Sequence, residues 1–566
     1  MTGYLRIALL LGLFWAVTAQ ADDVQTLDRD YWAWRAQEQP FTSDDIPRLE
    51  RPSHFRVDWS ATTVERYRDT VTAFETRWKS LEPKPQASLA DQVDYRLIGS
   101  AIARARFELD VSRLWARHPG FYIDQSLGSV YEVLLPPPPF TAERQATVLD
   151  RLEAIPKTLA DARQNLTDLR APFLGLAVSD LSGIDTKLDR LAQTLGPQFT
   201  PDNQRRLSSL LKRTAVALNE YRNWLETQRV KARSDTAIGP AAYAYFLHNV
   251  ALLPYDPPSL LTLARAEWSR AVTFEGIEEN RLRGTPQASI FSSSAAQVAA
   301  EHEQELNIRH FLTTHHLLTI PEDVAHYTNQ LLPDYLEPLA FLGVSDDLTG
   351  PSRLHENAVS YIRSPRPDLP YFYLSTARDP RSIVVHEGVP GHYFQLVLGW
   401  RHPDPIRRHF YDSAANEGIG FYAEEMMLQA GLFDDQPRTR STIYSFARLR
   451  ALRVEVDVKL ALGEFTLTQA ADYLARTVPM DPATAMEEAA SFAATPGQAI
   501  SYQIGKTQIL ALLADARRRE GDQFSLQRFQ DHLWREGNVP FALTRLEMWG
   551  DRSELPELLP LPAEAP

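Results

Sequence analysis

The sequence contains no cysteine in 566 residues. This absence excludes disulfide bonds, thiolate metal sites, iron–sulfur clusters held by cysteine, and cysteine nucleophiles. A metal site in this chain must therefore be built from nitrogen and oxygen ligands.

The chain also has fewer basic residues than acidic ones. The chain has 59 Lys and Arg against 73 Asp and Glu, a net charge of −14, and this acidic balance argues against a nucleic-acid partner. Hydrophobic residues make up 44% and charged residues 23%, so the composition excludes wholesale disorder. The length suggests either several domains or one large helical body with a cleft.

Long apolar runs are missing, apart from one near the amino terminus. Residues 7–19 form a largely apolar run of 13 residues, which is shorter than the roughly 20 that a membrane-spanning helix needs. Residues 19–21 read Ala-Gln-Ala, a pattern typical of signal-peptidase cleavage. We predict a signal peptide over residues 1–21, and hence a periplasmic or secreted protein without stable membrane insertion. No cysteine follows, so we expect no lipoprotein-type anchor; the alternative reading is an amphipathic first helix.

The rest of the chain reads as mostly helical, because apolar residues recur at i, i+3 and i+4 between charged faces. Residues 238–240, Ile-Gly-Pro, interrupt this pattern. We therefore predict an N-terminal helical half over residues 22–235 and a C-terminal helical half over residues 236–566, enclosing a deep cleft. The clearest predicted helices cover residues 64–81, 91–114, 205–233, 259–281, 294–313 and 322–331.

The helical pattern of the sequence gives way to an aromatic segment just before the most informative motif. Residues 371–374, Tyr-Phe-Tyr-Leu, have the aromatic character of a short strand. Ser382 then has the residue type of an N-cap for a helix that begins at Ile383. A short strand followed directly by a helix that carries histidines is a first indication of a functional site.

Two histidines and a glutamate in this helix suggest a metal site. His386 and Glu387 are followed after four residues by His392. In the zinc-peptidase pattern H-E-x-x-H, the histidines lie at i and i+4 and the glutamate is the general base. A spacing of six places the imidazoles about 120° apart on an ideal helix, so a π-type bulge or an unwound turn at residues 388–391, Gly-Val-Pro-Gly, is required. The alternative is two unrelated histidines on either side of a helix-breaking turn.

A third protein ligand is expected, since catalytic zinc normally takes three. Glu417 and Glu424 are seven residues apart and share a helix face. Glu417, beside a glycine, could approach a metal closely, and Glu424 could orient one of its ligands. A surface helix with scattered acidic residues would give the same pattern.

Tyr502 stands about one turn into a further predicted helix that runs to about residue 519. A tyrosine in such a position can donate a hydrogen bond to an oxyanion. A half-buried packing tyrosine is the alternative.

Together these segments resemble the bacterial family known as domain of unknown function 885, through three ordered motifs. The motif H-E-G/A-x-P-G-H-x-x-Q is matched by His386, Glu387, Gly388, Pro390, Gly391, His392 and Gln395. The motif E-G-W-x-x-Y-x-E is matched by Glu417, Gly418, Tyr422 and Glu424. The motif P-G-Q-A-x-x-Y-x-x-G is matched by Pro496, Gly497, Gln498, Ala499, Tyr502 and Gly505.

The family looks like a helical relative of gluzincin metallopeptidases, and the resemblance implies a role for each matched residue. It implies Zn²⁺ held by His386, His392 and Glu417. It implies Glu387 as general base and Tyr502 as the hydrogen-bond donor to the transition state. The implied supporting and substrate-binding residues are Glu424, Gln395, Tyr371, Tyr373 and Gln498, with the strand at residues 371–374 pairing with an extended substrate.

Three positions depart from the family pattern. Ile419 replaces a tryptophan, Ala461 an expected histidine, and Ser491 a frequent arginine. The metal motifs are intact, so these departures bear on substrate recognition. The cations that could bind a substrate carboxylate, each more simply explained as a surface or capping residue, are Arg378, Arg381 and Lys506.

The combined expectation is an exported zinc-dependent hydrolase that cleaves amide bonds of short peptides. Two alternatives stay open: a zinc hydrolase of a non-peptide amide or modified amino acid, and a non-enzymatic exported binding protein. An intact glutamate base disfavours the second, because binding alone does not need it.

Overall fold

Helices account for most of the computed structural model, which describes residues 23–42, 49–52, 55–84 and 86–562. The prediction of a mostly helical protein is therefore confirmed. The signal peptide predicted over residues 1–21 lies outside the described residues. Among the described helices, none combines the length and the apolar character needed to cross a membrane.

Eleven of the 24 described α-helices begin where a Ser, Thr or Asp side chain accepts a hydrogen bond from the first turn. Thr466 and Gln469 form a reciprocal capping box of this kind. The α-helices in chain order are α1 (Val24–Glu38), α2 (Ala61–Ser80), α3 (Leu89–Arg106), α4 (Leu114–Arg117), α5 (Pro119–Ile123), α6 (Ser129–Leu134), α7 (Ala142–Asn165), α8 (Ala171–Asp180), α9 (Ile184–Leu195), α10 (Pro201–Gln228), α11 (Pro240–Tyr245), α12 (Pro257–Arg281), α13 (Ser294–Thr314), α14 (Tyr371–Thr376), α15 (Arg381–Ile383), α16 (His392–Trp400), α17 (Pro405–His409), α18 (Ser413–Ala430), α19 (Pro437–Leu462), α20 (Leu467–Thr477), α21 (Pro482–Ala494), α22 (Ser501–Glu520), α23 (Leu526–Arg535) and α24 (Phe541–Trp549). The π-helical segments are Phe107–Ser112, Asp124–Gly128, Phe246–Val250 and Val384–Gly388. The 3₁₀ segments are Gly196–Gln198, Arg229–Lys231, Glu337–Leu342, Pro351–Arg353 and Gly521–Gln523.

The hydrophobic core consists of several buried clusters. The largest comes mainly from helices before residue 226, and it also includes Tyr361, Ile406 and Leu543 from later in the chain. A second cluster surrounds α16, α18 and α23. Because the first cluster draws on both predicted halves, burial of apolar surface holds them together.

The chain passes between the predicted halves at residues 233–239. The Arg233 amide donates to the Leu169 carbonyl over 2.8 Å, and the Gly239 amide donates to the Ala461 carbonyl over 2.9 Å. Ala461, where the family pattern predicts histidine, is therefore buried at this crossing, within an apolar cluster that contains Tyr243.

A three-stranded sheet is the only β-structure larger than a single bridge in the described part of the chain. Its central strand β3 (Ala358–Ile362) is parallel to β1 (Tyr327–Leu331) and antiparallel to β2 (Asp346–Asp347). The helix predicted over residues 322–331 is therefore wrong: residues 322–326 are turn and loop, and residues 327–331 form β1. A strand of five residues is too short for periodicity to identify, and this one forms through pairing with residues 31 positions away.

The strand predicted over residues 371–374 is also wrong, since these residues begin α14. The amide of Leu374 donates to the carbonyl of Pro370, and the rings of Tyr371 and Phe372 pack on Phe446 of α19. Ser382 is not an N-cap, because α15 begins one residue earlier, after Pro380. For residues 371–374, packing on the long helix α19 decides the conformation of a very short segment.

Helices α18 and α22 pack with their backbones in contact. A Cβ atom at Gly418 would lie 2.7 Å from Gly505, and a Cβ atom at Gly505 would overlap the Ala414 carbonyl. The two helices carry Glu417 and Tyr502, so this close approach sets the distance between two residues of the predicted site.

We expect Gly505→Ala to lower the free energy of unfolding by about 1–3 kcal/mol, because the added methyl group meets a backbone atom that cannot rotate away. Gly276 in α12 is the matched control, since a Cβ atom there meets nothing within 4 Å. Gly276→Ala should raise stability by about 0.5–1 kcal/mol. Urea unfolding followed by circular dichroism measures both, and equal stability of Gly505→Ala and the parent would contradict the packing argument.

Candidate metal centre

His386 and Glu387 lie in the π-helical segment Val384–Gly388, and His392 is the first residue of α16. Between them the chain leaves the helix, with an extended Val389. The ring centroids of the two histidines are 4.7 Å apart. A π-type segment and an unwound turn, the distortion that the spacing of six requires, thus bring the imidazoles together.

Close contacts fix this turn. A side chain at Gly391 would overlap the His386 carbonyl, so only glycine fits there. The indole of Trp534 in α23 donates a hydrogen bond of 2.6 Å to the Pro390 carbonyl. A Cβ atom at Gly420 of α18 would lie 3.0–3.2 Å from both imidazoles, so this glycine allows α18 to approach the two histidines.

Glu417 of α18 completes a group of buried donor atoms. Its Oε2 lies 3.2 Å from His392 Nε2 and 3.6 Å from His386 Nε2. Glu387 belongs to the same group, because one ligand atom each from His386, Glu387 and His392 can be chosen within 4.8 Å of one another. Its Oε2 is 4.0 Å from His392 Nε2.

These distances fit a metal such as zinc. Nitrogen and oxygen ligands that surround zinc tetrahedrally at 2.0–2.2 Å lie about 3.3–3.6 Å from each other. The two contacts of Glu417 fall close to that range, and the contact of Glu387 is longer. Glu417 Oε2 is buried and makes no hydrogen bond within the described residues, as is expected of a carboxylate oxygen that binds a cation.

A carboxylate and an arginine support His386 from behind. Glu424 Oε1 lies 2.7 Å from His386 Nδ1 and accepts a hydrogen bond of 2.8 Å from Arg450 Nη2. A carboxylate on the second imidazole nitrogen is a frequent arrangement around metal-bound histidines, because it fixes the tautomer and the ring orientation. Glu417 and Glu424 thus contact the two nitrogens of one ring from one face of α18.

The electrostatics of the buried group follow from these contacts. Burial lowers the pKa of His386, but the carboxylates of Glu417 and Glu424 outweigh burial and raise this pKa to about 9. Burial raises the pKa of Glu417, but the His392 and His386 imidazoles outweigh it and hold the pKa well below its ordinary value. For Glu387 burial prevails, and its pKa is raised. Of the two carboxylates, Glu387 is therefore the better proton acceptor.

A large cleft of about 1510 Å³ opens onto this group. It exceeds the roughly 300–1,000 Å³ that is usual for small-ligand sites, so there is room for a substrate larger than one amino acid. Glu387 keeps 26% of its side chain exposed, whereas His392 and Glu417 are 3% and 10% exposed. The residues of the predicted site that line the cleft are His386, Glu387, Glu424, Tyr502, Gln498 and Tyr373.

Tyr502 stands over the buried group. Its ring is nearly parallel to that of His386, with centroids 6.1 Å apart, and the Arg453 guanidinium carbon lies 4.6 Å from the Tyr502 centroid. The turn before Tyr502 is held by Asp457, which accepts hydrogen bonds from the amides of Gly497 and Ala499. Burial raises the pKa of Asp457 to about 7.

Gln395 and Tyr371, two residues of the predicted site, do not line the cleft. Gln395 is fully buried, and its side-chain oxygen accepts a hydrogen bond of 2.7 Å from Asn416, the residue before Glu417. Tyr371 does not line the cleft, and its hydroxyl is 2.8 Å from that of Ser445. Tyr373, by contrast, is 39% exposed.

Two of the three cations considered for a substrate carboxylate are engaged in buried ion pairs. Arg381 forms ion pairs of 2.8 Å with Asp379 and Asp435. Lys506 is fully buried, with its Nζ 2.8 Å from Glu425. Neither these two nor Arg378 lines the cleft.

Sequence analysis assigned no role to the arginines that do reach the site, although Arg453 fits the family pattern. Arg450 and Arg453 lie three residues apart in α19 and are buried. Their signal is weak, because residues 448–459 contain six charged side chains that alternate with apolar ones. Nothing in that pattern tells which carboxylates they meet.

Comparisons with known proteins agree with this architecture. The family model described as "Bacterial protein of unknown function (DUF885)" matches residues 52–548. A candidate lipoprotein of unknown function from Shewanella oneidensis superimposes with a TM-score of 0.70 at 17% identity, over 93% of this chain and 100% of the other. A candidate lipoprotein from Colwellia psychrerythraea does so with a TM-score of 0.69 at 18% identity, over 93% and 97%.

At these identities the two solved structures show a shared fold. No curated protein is significantly similar to the chain in sequence. The family match covers most of the sequence and includes all three motifs around the metal centre, so this chain belongs to the bacterial family DUF885.

Proposed function

We propose that this protein is a zinc-dependent hydrolase that cleaves amide bonds of short peptides. The observation that carries the proposal is that Glu417 Oε2 lies 3.2 Å from His392 Nε2 and 3.6 Å from His386 Nε2, beside the partly exposed Glu387. The resemblance to gluzincin peptidases supports the same ligand set. A bound zinc ion would supply Lewis-acid activation of water and of the scissile carbonyl.

Residues of the chain would supply proton transfer, oxyanion stabilisation and positioning of the ligands. Glu387 reaches the cleft, and its raised pKa suits a group that takes a proton from water and passes it to the leaving amine. Tyr502, held over His386, is placed to donate a hydrogen bond to the oxygen of the scissile carbonyl as it becomes negative. Glu424 and Arg450 keep the His386 ring in place.

Replacing Glu387 tests the hydrolase directly. Glu387→Gln keeps the shape but removes the base, so we expect normal zinc content and a 10²- to 10⁴-fold loss of turnover. The assay compares a peptide library with acylated amino acids, each with and without chelator, and so also separates the peptidase from a hydrolase of other amides. Glu303→Gln, on the exposed side of α13, is the control. Parental turnover in Glu387→Gln would exclude the general-base role, and a parent inactive on both substrate sets would favour a binding protein.

Replacing a histidine tests the metal. His386→Ala removes one of three ligands, and we expect the zinc content after dialysis to fall from about one equivalent per chain to a small fraction of that. His302→Ala, at an exposed histidine of α13, should keep full occupancy. Zinc is measured by mass spectrometry of the metal. Full occupancy in His386→Ala would show that the metal, if bound, is held elsewhere.

We propose further that the protein acts outside the cytoplasm. The support is the apolar run at residues 7–19 with Ala-Gln-Ala at residues 19–21, together with two relatives of the same fold that are candidate lipoproteins. Unlike a lipoprotein, this sequence has no cysteine to carry a lipid.

Export makes a simple prediction about the mature chain. Expressed with its natural amino terminus in a Gram-negative host, the protein should appear in the periplasmic fraction and begin at Asp22. Intact-mass measurement of the purified protein reads the cleavage site. Ala21→Arg should block cleavage, and a mature parent that keeps residues 1–21 would contradict the signal peptide.

A further inference from the structure

We propose that Arg450 and Arg453 form a carboxylate-binding subsite in the cleft, next to the metal centre. This subsite deepens the proposed function and rests on it, because its ligand is a substrate only if the protein is a hydrolase. It assigns to that substrate a carboxylate group close to the bond that is cleaved.

The two arginines occupy the same face of α19 and both line the cleft. Each is only 6% exposed. The Arg450 guanidinium carbon lies 5.2 Å from the ring centre of Phe446 and 5.7 Å from that of Tyr502. Aromatic rings therefore surround the guanidinium groups and keep bulk water away, which strengthens a charged hydrogen bond to a ligand.

Neither guanidinium is saturated by the protein. Arg450 donates through Nη2 to Glu424, while its buried Nε and Nη1 have no hydrogen-bond partner in the described part of the chain. Arg453 donates through Nε and Nη2 to Glu488, each over 2.7 Å, and none of its hydrogen bonds to described residues uses Nη1. Buried donors without partners are rare in native proteins and need an explanation. A ligand that accepts hydrogen bonds supplies one.

The charges favour a carboxylate over other anions. A guanidinium fork matches the two oxygens of a carboxylate, with short bonds of roughly twice the usual strength. Glu424 already forms an ion pair with Arg450, and Glu488 forms one with Arg453. These carboxylates repel a dianion such as phosphate more strongly than a ligand with a single negative charge.

The subsite is directly connected to the metal centre. Arg450 reaches His386 through Glu424, over contacts of 2.8 Å and 2.7 Å. Arg453 stacks on Tyr502, whose ring is 6.1 Å from that of His386. A carboxylate held here lies within about one or two residues of an amide placed over the metal centre. It is either the free C-terminus of a peptide or an acidic side chain next to the cleaved bond.

Binding of three small peptides to Glu387→Gln protein tests the subsite without consuming the ligand. The probes are acetyl-Ala-Ala with a free C-terminus, acetyl-Ala-Ala amide, and acetyl-Glu-Ala amide, which carries its carboxylate on a side chain. Calorimetry with zinc-loaded and with chelator-treated protein gives each dissociation constant. We expect at least one carboxylate probe to bind tenfold or more tightly than acetyl-Ala-Ala amide in both states. The probe that does so identifies the source of the carboxylate.

The variants decide whether the arginines cause this preference. Arg453→Gln combined with Glu488→Gln removes a whole ion pair without leaving a buried charge, and should reduce the preference to within about twofold. Arg450→Lys keeps a positive charge beside Glu424 but loses the guanidinium fork, and should weaken the preference several-fold in zinc-loaded and in chelator-treated protein. The control is Arg448→Gln with Glu275→Gln, an ion pair of 3.2 Å that joins α19 to α12 outside the cleft. It should retain the full preference.

Several results would overturn the subsite. Acid and amide probes could bind with equal affinity, or no probe could bind measurably. The preference for a carboxylate could disappear when zinc is removed, or it could be unchanged in both arginine variants. Failure of the hydrolase is distinguishable, because binding is measured without turnover. A protein that prefers the carboxylate but hydrolyses nothing would keep the subsite and exclude the enzyme.

Discussion

The buried contact between His386 and two glutamates is the constraint on which the centre of this structure depends. Taking carboxylates out of water costs several kcal/mol each unless opposite charges and hydrogen bonds replace the lost solvent. Here the compensation comes from the imidazoles and from Arg450. The π-helical segment places the histidines, glycine at 420 lets α18 come close, and α19 delivers the arginine.

Much of this centre could be predicted from the sequence because it depends on local spacing. Two histidines at a spacing of six cannot share one face of an ideal helix, so a distortion at residues 388–391 follows from the spacing alone, and the structure has one. The spacing of seven between Glu417 and Glu424 places both on one helix face. The two carboxylates do meet the same ring, at its two nitrogens.

What the sequence could not predict depends on distant partners. The aromatic residues 371–374 have no period of their own, and contact with Phe446 selects a helix for them. The sheet arises from pairing between residues 327–331 and residues 358–362, which local propensity does not encode. The ion pairs of Arg450 and Arg453 could not be predicted either, because their partners Glu424 and Glu488 lie 26 and 35 residues away in the sequence.

The hydrogen bond from Trp534 to the Pro390 carbonyl has a consequence for the order of events in the cell. The histidines and glutamates of the centre are all synthesised more than one hundred residues before that indole. A growing chain therefore carries every donor atom of the centre while still lacking the contact that holds the turn between its two histidines. The turn between the two histidines can therefore gain this contact only after residue 534 has been synthesised.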